Sequence, residues 1–285
     1  MPEDSSTTFT DFNQHVIDSF RANGGRVGPP FENARLLLLT TTGARSGAPH
    51  TTPVGYLPDG ERVLVIASAG GADRHPAWYH NLRAHPLATV EDGVFTYEAR
   101  ATVLGREERD AAFARAVEAD PGWGAYQRRT SRVIPVVALE GTGVPRPVAR
   151  GGGAMLRSVH DAFRRELALI RAELAAHGPG LGAQLRANCL TACQGLRNHH
   201  IGEDTRIFPF LADHRPELAP ALERLRVEHQ AIAALTEELR RLLADGTGAT
   251  AAGLLPAFDR LAGELEAHLD REEADLLPAL DALLP

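Results

Sequence analysis

The sequence predicts an α+β unit whose mostly antiparallel sheet closes as a small barrel, followed by an all-α, up-down-up-down four-helix bundle. Three observations carry this. Short β-branched and apolar runs separated by turn residues fill roughly the first half of the 285 residues. Residues 141–153 carry Pro145, Pro147 and three consecutive glycines, the composition of a linker. Beyond them the apolar residues recur at threes and fours with no strand signal, as a buried helix seam requires. The expected domains are therefore residues 1–140 and 154–285, joined by a tether at 141–153, and the length suits two ordinary cores.

In chain order, residues 1–7 are polar and expected to be disordered. Residues 9–22 read as an amphipathic helix with Phe12, Val16, Ile17 and Phe20 on one side, stopped by Gly24 and Gly25. Strands are expected at 35–42 and 51–57, the latter turning through Pro58-Asp59-Gly60 into 62–68. A short helix at 76–84 precedes a strand at 87–91, and Asp92-Gly93 turns into a strand at 95–104. Helices at 107–118 and 124–129 lead to a last strand at 133–139. Such a mostly antiparallel sheet closes most readily as a small barrel. The second half divides into four helices at 177–180 (His-Gly-Pro-Gly), at Arg215-Pro216 and at 245–248 (Asp-Gly-Thr-Gly), and short breaks make antiparallel neighbours.

Inside that helical half, polar residues stand where the periodicity assigns core. The seams run Leu156, His160, Phe163, Leu167, Ile170; Leu185, Cys189, Leu196, His199, Glu203; Leu222, Leu225, His229, Ile232; and Leu261, Leu265, His268, Glu272. A repeat underlies them, because His229 follows His160, His268 follows His199, Glu272 follows Glu203 and Pro278 follows Pro209 at one common offset of 69 residues. In His199/Glu203 and His268/Glu272 the four-residue spacing puts both side chains on one helix face. Six buried polar groups need compensation. Buried His–Glu hydrogen bonds or a surface phase would account for any one pair. For the full set at one offset, a pair of metal ions held between facing helices is expected. The expected ligands are His160, His199, Glu203, His229, His268 and Glu272, with the two glutamates bridging. Imidazole with carboxylate suits two iron ions, with zinc and manganese left open by ligand type. His200 has Leu269 as its counterpart at the offset and is assigned to the second shell or the surface.

The net charge of −7 argues against nucleic acid as the main partner. No apolar run is long enough for a bilayer and no signal peptide pattern opens the sequence, so a cytoplasmic protein is expected. Cys189 and Cys193, four apart on a helix, are poorly placed for a disulfide and read as small core residues. All 30 basic residues are arginine.

In the first half, the loop from Thr41 to His50 leaves a strand through two glycines with amides and cationic side chains available. It can hold an anionic group or be a plain hairpin loop. The runs at 21–28 (RANGGRVG), 37–47 (LLLTTTGARSG), 66–71 (IASAGG) and 75–82 (HPAWYHNL) resemble the deazaflavin-dependent nitroreductase family. That resemblance implies a split barrel binding reduced coenzyme F420, which donates hydride to nitro compounds or quinones. By motif, Arg45, Ser46 and Pro53 would handle the coenzyme's phosphate and tail. Ala67, Ser68, Trp78 and Asn81 would line the deazaflavin ring, and Tyr126 with Trp123 would face the substrate. Ala69 and His50 stand where the family often has lysine or arginine. A homodimer is compatible with the resemblance. The second half resembles the hemerythrin family with its cation-binding His-His-Glu signature, from His160 through His199-His200, Glu203-Asp204 and His229 to His268 and Glu272-Glu273. Where oxygen-carrying members have a second histidine on the third helix, this chain has Leu225 and Ala233 either side of His229. On four histidines, more metal positions stay open, which favours redox chemistry over storage of dioxygen.

Two readings of function follow. In the first, the chain is an oxidoreductase pairing a deazaflavin-using barrel with a di-iron bundle that reacts with dioxygen, peroxide or a nitrogen oxide. In the second, the bundle senses or scavenges oxygen, nitric oxide or iron, and the barrel only binds coenzyme.

Overall fold

The computed structural model describes residues 5–32, 34–176, 181–244 and 250–285. The chain divides into two compact units, Met1–Val148 and Ala149–Pro285. Helix α1 (Ser5–Ala22) opens the first, so the disorder expected for residues 1–7 does not hold for 5–7, and residues 1–4 lie outside the described residues. Val16, Ile17 and Phe20 are buried, the latter two packing with Leu38.

Six strands follow: β1 (Leu36–Thr42), β2 (Pro49–Asp59), β3 (Arg62–Ile66), β4 (Leu87–Glu91), β5 (Phe95–Val103) and β6 (Val136–Gly141). Their order is β4-β1-β2-β3-β6-β5, every pairing is antiparallel, and β4 also pairs with β5, which closes the barrel. The two-residue alternation of strands sends Leu37, Leu39, Val65, Ala67, Val90, Ala99, Val137 and Leu139 into one core. It sends Leu64, Ile66, Val136 and Ala138 to the opposite side, where they meet Phe113 and Ala116. Those two residues lie on α3 (Arg106–Ala119), which is followed by α4 (Pro121–Arg128). Helix α4 starts three residues earlier than the sequence suggested. Asp120 caps it by accepting from the Gly122 amide at 2.8 Å, and Pro121 suits the first turn. Helix α2 (Ala77–Ala84) lies between β3 and β4 in sequence.

The expected tether is partly structured. Arg146–Pro147 forms β7 against Phe95 and Thr96 of β5. The glycine triplet does not act as loose chain either. Helix α5 (Gly152–Ala176) already includes two of the three glycines. A Cβ on Gly153 would lie 2.1 Å from an Asp281 oxygen, and one on Gly152 would lie 3.0 Å from Leu284. These glycines let the start of α5 lie against the end of α9 (Ala251–Leu283).

Between them run α6 (Ala183–Gly202), a π turn at Glu203–Ile207, α7 (Phe208–His214), a short turn at Pro216–Leu218 and α8 (Ala219–Ala244). The break at Arg215-Pro216 falls where expected, whereas the expected loops at 177–180 and 245–248 lie outside the described residues. The bundle has two apolar clusters. On each arm an inward histidine separates them: Leu156 and Ile170 flank His160, Leu196 and Phe208 flank His199, Leu225 and Ile232 flank His229, and Leu265 and Leu276 flank His268. Cys189 and Cys193 are buried and not joined in a disulfide, and burial pushes the Cys193 thiol up to about 11.

Candidate functional site

The polar layer between those two clusters is built from four helical arms. His160 and His268 are 0% exposed, Glu272 0%, Glu203 3% and His229 4%, a burial that leaves carboxylates and imidazoles with no water to compensate them. Two groups of potential ligand atoms lie there, each within 4.8 Å of one another. One is His160, His199, Glu203 and Glu272; the other is His200, His229 and His268. Glu203 faces both groups, with Oε1 3.1 Å from His199 Nε2 and Oε2 3.7 Å from His229 Nε2. Glu272 does the same through Oε2, 3.4 Å from His160 Nε2 and 3.5 Å from His268 Nε2.

Among the described residues, twelve buried side-chain nitrogens and oxygens have no hydrogen-bond partner. Nine of them are the Nε2 atoms of these five histidines and the four carboxylate oxygens of Glu203 and Glu272. Buried polar atoms are almost always satisfied, so a convergent set of orphans with this chemistry fits a pair of cations. The outer edges of the rings are in contrast satisfied. His160 Nδ1 donates to Glu273 at 2.9 Å, His229 Nδ1 to Asp204 at 3.0 Å and His268 Nδ1 to Glu228 at 2.8 Å. Each bond fixes the tautomer that leaves the Nε2 lone pair pointing inward. Arg164 holds Glu273 at 2.7 Å and Arg271 holds Glu228 at 2.8 Å, so the carboxylates are themselves oriented.

The electrostatics agree. Burial pulls His199 down to about 3 and His200 to about 2, with the neighbouring histidines adding to it, so both imidazoles are neutral. Burial, and then the charge of Glu272, pushes Glu203 well above the usual carboxylate range. Two carboxylates side by side in an apolar layer call for positive charge between them.

His200 does not lie on the surface. It is 6% exposed, stacks on His229 with ring centroids 4.1 Å apart, and has a ring nitrogen grouped with those of His229 and His268. Its neighbour His199 turns the other way, with its ring 5.4 Å from that of His160. A bundle helix has two inward flanks, one toward each neighbour, and a single seam line catches only one of two adjacent residues. At the repeat position Leu269 keeps the burial without the chemistry. The partner carboxylates also went unassigned in the sequence, although each adjoins an inward residue: Asp204 follows Glu203, Glu228 precedes His229 and Glu273 follows Glu272.

The barrel residues lie in two places. The loop between β1 and β2 presents Arg45, which is exposed and makes no ion pair among the described residues. Ser46 Oγ accepts from the Ala48 amide and lies 3.2 Å from His50 Nε2. Asn81 pins this loop, accepting from the Ala44 amide at 2.9 Å and donating to Thr41 Oγ1 at 3.0 Å. Both ends of its amide thus shape the loop. Trp78 is 6% exposed within the inner core cluster that also holds Leu37, Val65 and Tyr79. Pro53 is half-buried on β2 opposite Leu38.

The second place is the turn after β3, where Ala67 is buried and Ser68 half-buried. Gly71 (φ 82°) lets this turn approach α4, since a Cβ there would lie 2.8 Å from the Tyr126 carbonyl. Tyr126 and Trp123 are half-buried with ring centroids 6.0 Å apart. Arg132, absent from the sequence reading, braces the turn by donating to the carbonyls of Ala67, Ser68 and Ala72 at 3.2, 2.6 and 2.8 Å. No short-range pattern marks it, because its partners are about 60 residues away in sequence.

Comparison with known proteins assigns both halves. The family model for F420H(2)-dependent quinone reductase matches residues 13–141. An F420H(2)-dependent quinone reductase of Mycobacterium tuberculosis is 38% identical over 124 residues, which is 42% of this chain and 83% of that protein. The chain belongs to the F420H(2)-dependent quinone reductase family. The hemerythrin HHE cation binding domain model matches residues 152–280, the part that carries the polar layer. A solved F420-H2 dependent reductase is 38% identical, with 37% of this chain and 94% of that chain covered and a TM-score of 0.35. A solved structure described as a domain-swapped dimer is 34% identical, with 48% and 100% covered and a TM-score of 0.37. No helix among the described residues is long and apolar enough to cross a membrane.

Proposed function

We propose that this chain is an oxidoreductase whose barrel takes reduced coenzyme F420 as hydride donor to a small electron-poor acceptor, a quinone or a nitro compound, and whose bundle holds two iron ions and handles dioxygen, peroxide or a nitrogen oxide. Family membership supports the barrel half. The single observation that carries the bundle half is the convergence of nine unpartnered nitrogen and oxygen atoms in one buried layer.

Bound there, an iron pair supplies redox chemistry that no side chain in the layer has. The protein's own work is positional. His160, His199, His200, His229 and His268 would hold the ions through their Nε2 atoms, and Glu203 and Glu272, which face both histidine groups, would supply the negative charge. Asp204, Glu228 and Glu273 hold the outer ring protons at Nδ1, and apolar clusters flank the layer on both sides. In the barrel, Arg45 with the exposed Ser46–Gly47 backbone receives the coenzyme's phosphate, Pro53 borders its tail, and Ala67 and Ser68 form the wall beside its ring. Trp123 and Tyr126 face the substrate. Asn81 and Arg132 hold the two loops in place.

The alternative is a di-iron sensor or scavenger whose barrel only binds coenzyme, and it is favoured by the five-histidine donor set, which leaves fewer open positions. Catalysis separates the two. Full-length protein, iron-loaded or iron-depleted, is mixed with reduced F420 and a quinone, and coenzyme oxidation is followed optically. Many turnovers per chain are expected; oxidation that stops at one equivalent, or does not occur, favours the sensor.

A further inference from the structure

We propose that the cleft between α6 and α8 is a binding site for a small organic carboxylate, whose far end reaches the His200–His229 side of the metal centre. The cleft has a volume of about 380 Å³, the size of a small-molecule site. Cys193, Arg197 and His200 line it from α6, and His229, Ala233 and Arg240 line it from α8. On both helices the lining residues step by fours and threes, so each presents one continuous face. The faces run in opposite directions, since His200 stacks on His229 while Cys193 feels the charge of Arg240. From His229 to Arg240 the cleft extends for eleven residues of helix, roughly 16 Å at the usual rise.

Its charges are unevenly matched. The two acids that line it are engaged: Asp204 holds His229 at 3.0 Å, and Glu237 faces Arg241 at 3.4 Å. Arg197 and Arg240 make no ion pair among the described residues. Two unmatched guanidinium groups beside a slot that ends on imidazoles suit an anion too long to be a bare ion. A planar carboxylate matches the guanidinium fork. Dioxygen needs neither the volume nor the charge. The inference uses the metal reading only to say what lies at the inner end, so binding to metal-free protein tests it separately.

Isothermal titration of the full-length protein, metal-free and iron-loaded, with benzoate, succinate and inorganic phosphate is the test. Saturable binding of a carboxylate is expected in both forms, with phosphate weaker. The double variant R197A/R240A should weaken it by ~100-fold, about tenfold for each charged hydrogen-bond partner removed. Ala233→Trp, an exposed position one turn from His229, should fill the slot and abolish binding while iron content stays as in the wild type. In the iron-loaded protein the carboxylate should also shift the visible spectrum, and Ala233→Trp should remove that response. Three results overturn the proposal: no saturable carboxylate binding up to ~1 mM, the weak end of specific affinity; binding that survives both variants; or phosphate binding tighter than either carboxylate.

Discussion

The two halves of this chain carry their candidate chemistry in opposite ways. In the bundle, seven side chains point inward from four arms, are largely buried, and leave nine potential ligand atoms unpartnered. In the barrel, Arg45 and Ser46 sit on an exposed loop, while Asn81 is used up in shaping that loop. A buried polar group without a partner is costly, so in the bundle folding itself demands a ligand. An exposed loop makes no such demand, and its role has to come from kinship. The difference teaches where physical reasoning from structure is strong: it finds sites whose apo state is uncomfortable.

The largest expected effect breaks the comparison if it fails. Chelating the metal should destabilise the bundle and leave the barrel's unfolding transition where it was. A site with free metal at 1,000 times its dissociation constant contributes ~4 kcal/mol by linkage, on the order of 10 °C for a unit of this size. Differential scanning calorimetry of loaded and stripped protein should show one of two transitions move.

Acidification of the stripped protein should act on the same half. His199 has a folded value of about 3, below its ordinary 6.5, so it prefers to stay neutral in the fold and takes a proton on unfolding. That stability is fully present above pH 6.5 and is lost as pH falls toward 3, and His200 acts in the same sense. Chemical denaturation between pH 7 and 5 should show the stripped bundle weakening steadily with each step down. Glu203 and His268, both raised in the fold, act in the opposite sense, so a flat or rising profile would mean that the neutral imidazoles do not dominate the balance.

How much of this was legible follows the same divide. The bundle ligands could be read because helical periodicity assigns a face, and a histidine on a leucine face is conspicuous. His200 could not, because the repeat pairs it with Leu269, and reading one seam ignores the second inward flank of α6. The triple glycine misled for a related reason. Glycine signals loose chain or close approach equally well, and only the Asp281 side chain against Gly153 decides for close approach. In the barrel, the strands and their closure were accessible from alternation and turns, whereas the strand order was not read. Arg132 was not, because it joins segments about 60 residues apart and no local pattern records that.

Two smaller effects sharpen the contrast. Glu228→Gln removes the charge that orients His268 while keeping its shape, and should weaken metal binding by ~10–100-fold in a competition titration. Unchanged affinity would mean that the outer carboxylates do not set the ring tautomers. Arg132→Ala frees three carbonyls of the turn after β3 and should weaken F420 binding by about tenfold, read by fluorescence titration, with iron content untouched. A loss of iron in that variant would join two sites that this account keeps apart.

The central claim is that seven residues hold two metal ions, with His200 among the ligands. Elemental analysis of the full-length protein and of His200→Ala, both expressed with ample iron, tests it most directly. About two irons per chain are expected in the wild type, and a loss of about one in His200→Ala, whose cluster keeps only His229 and His268 as nitrogen donors. No metal in the wild type, or two irons retained in His200→Ala, would contradict it.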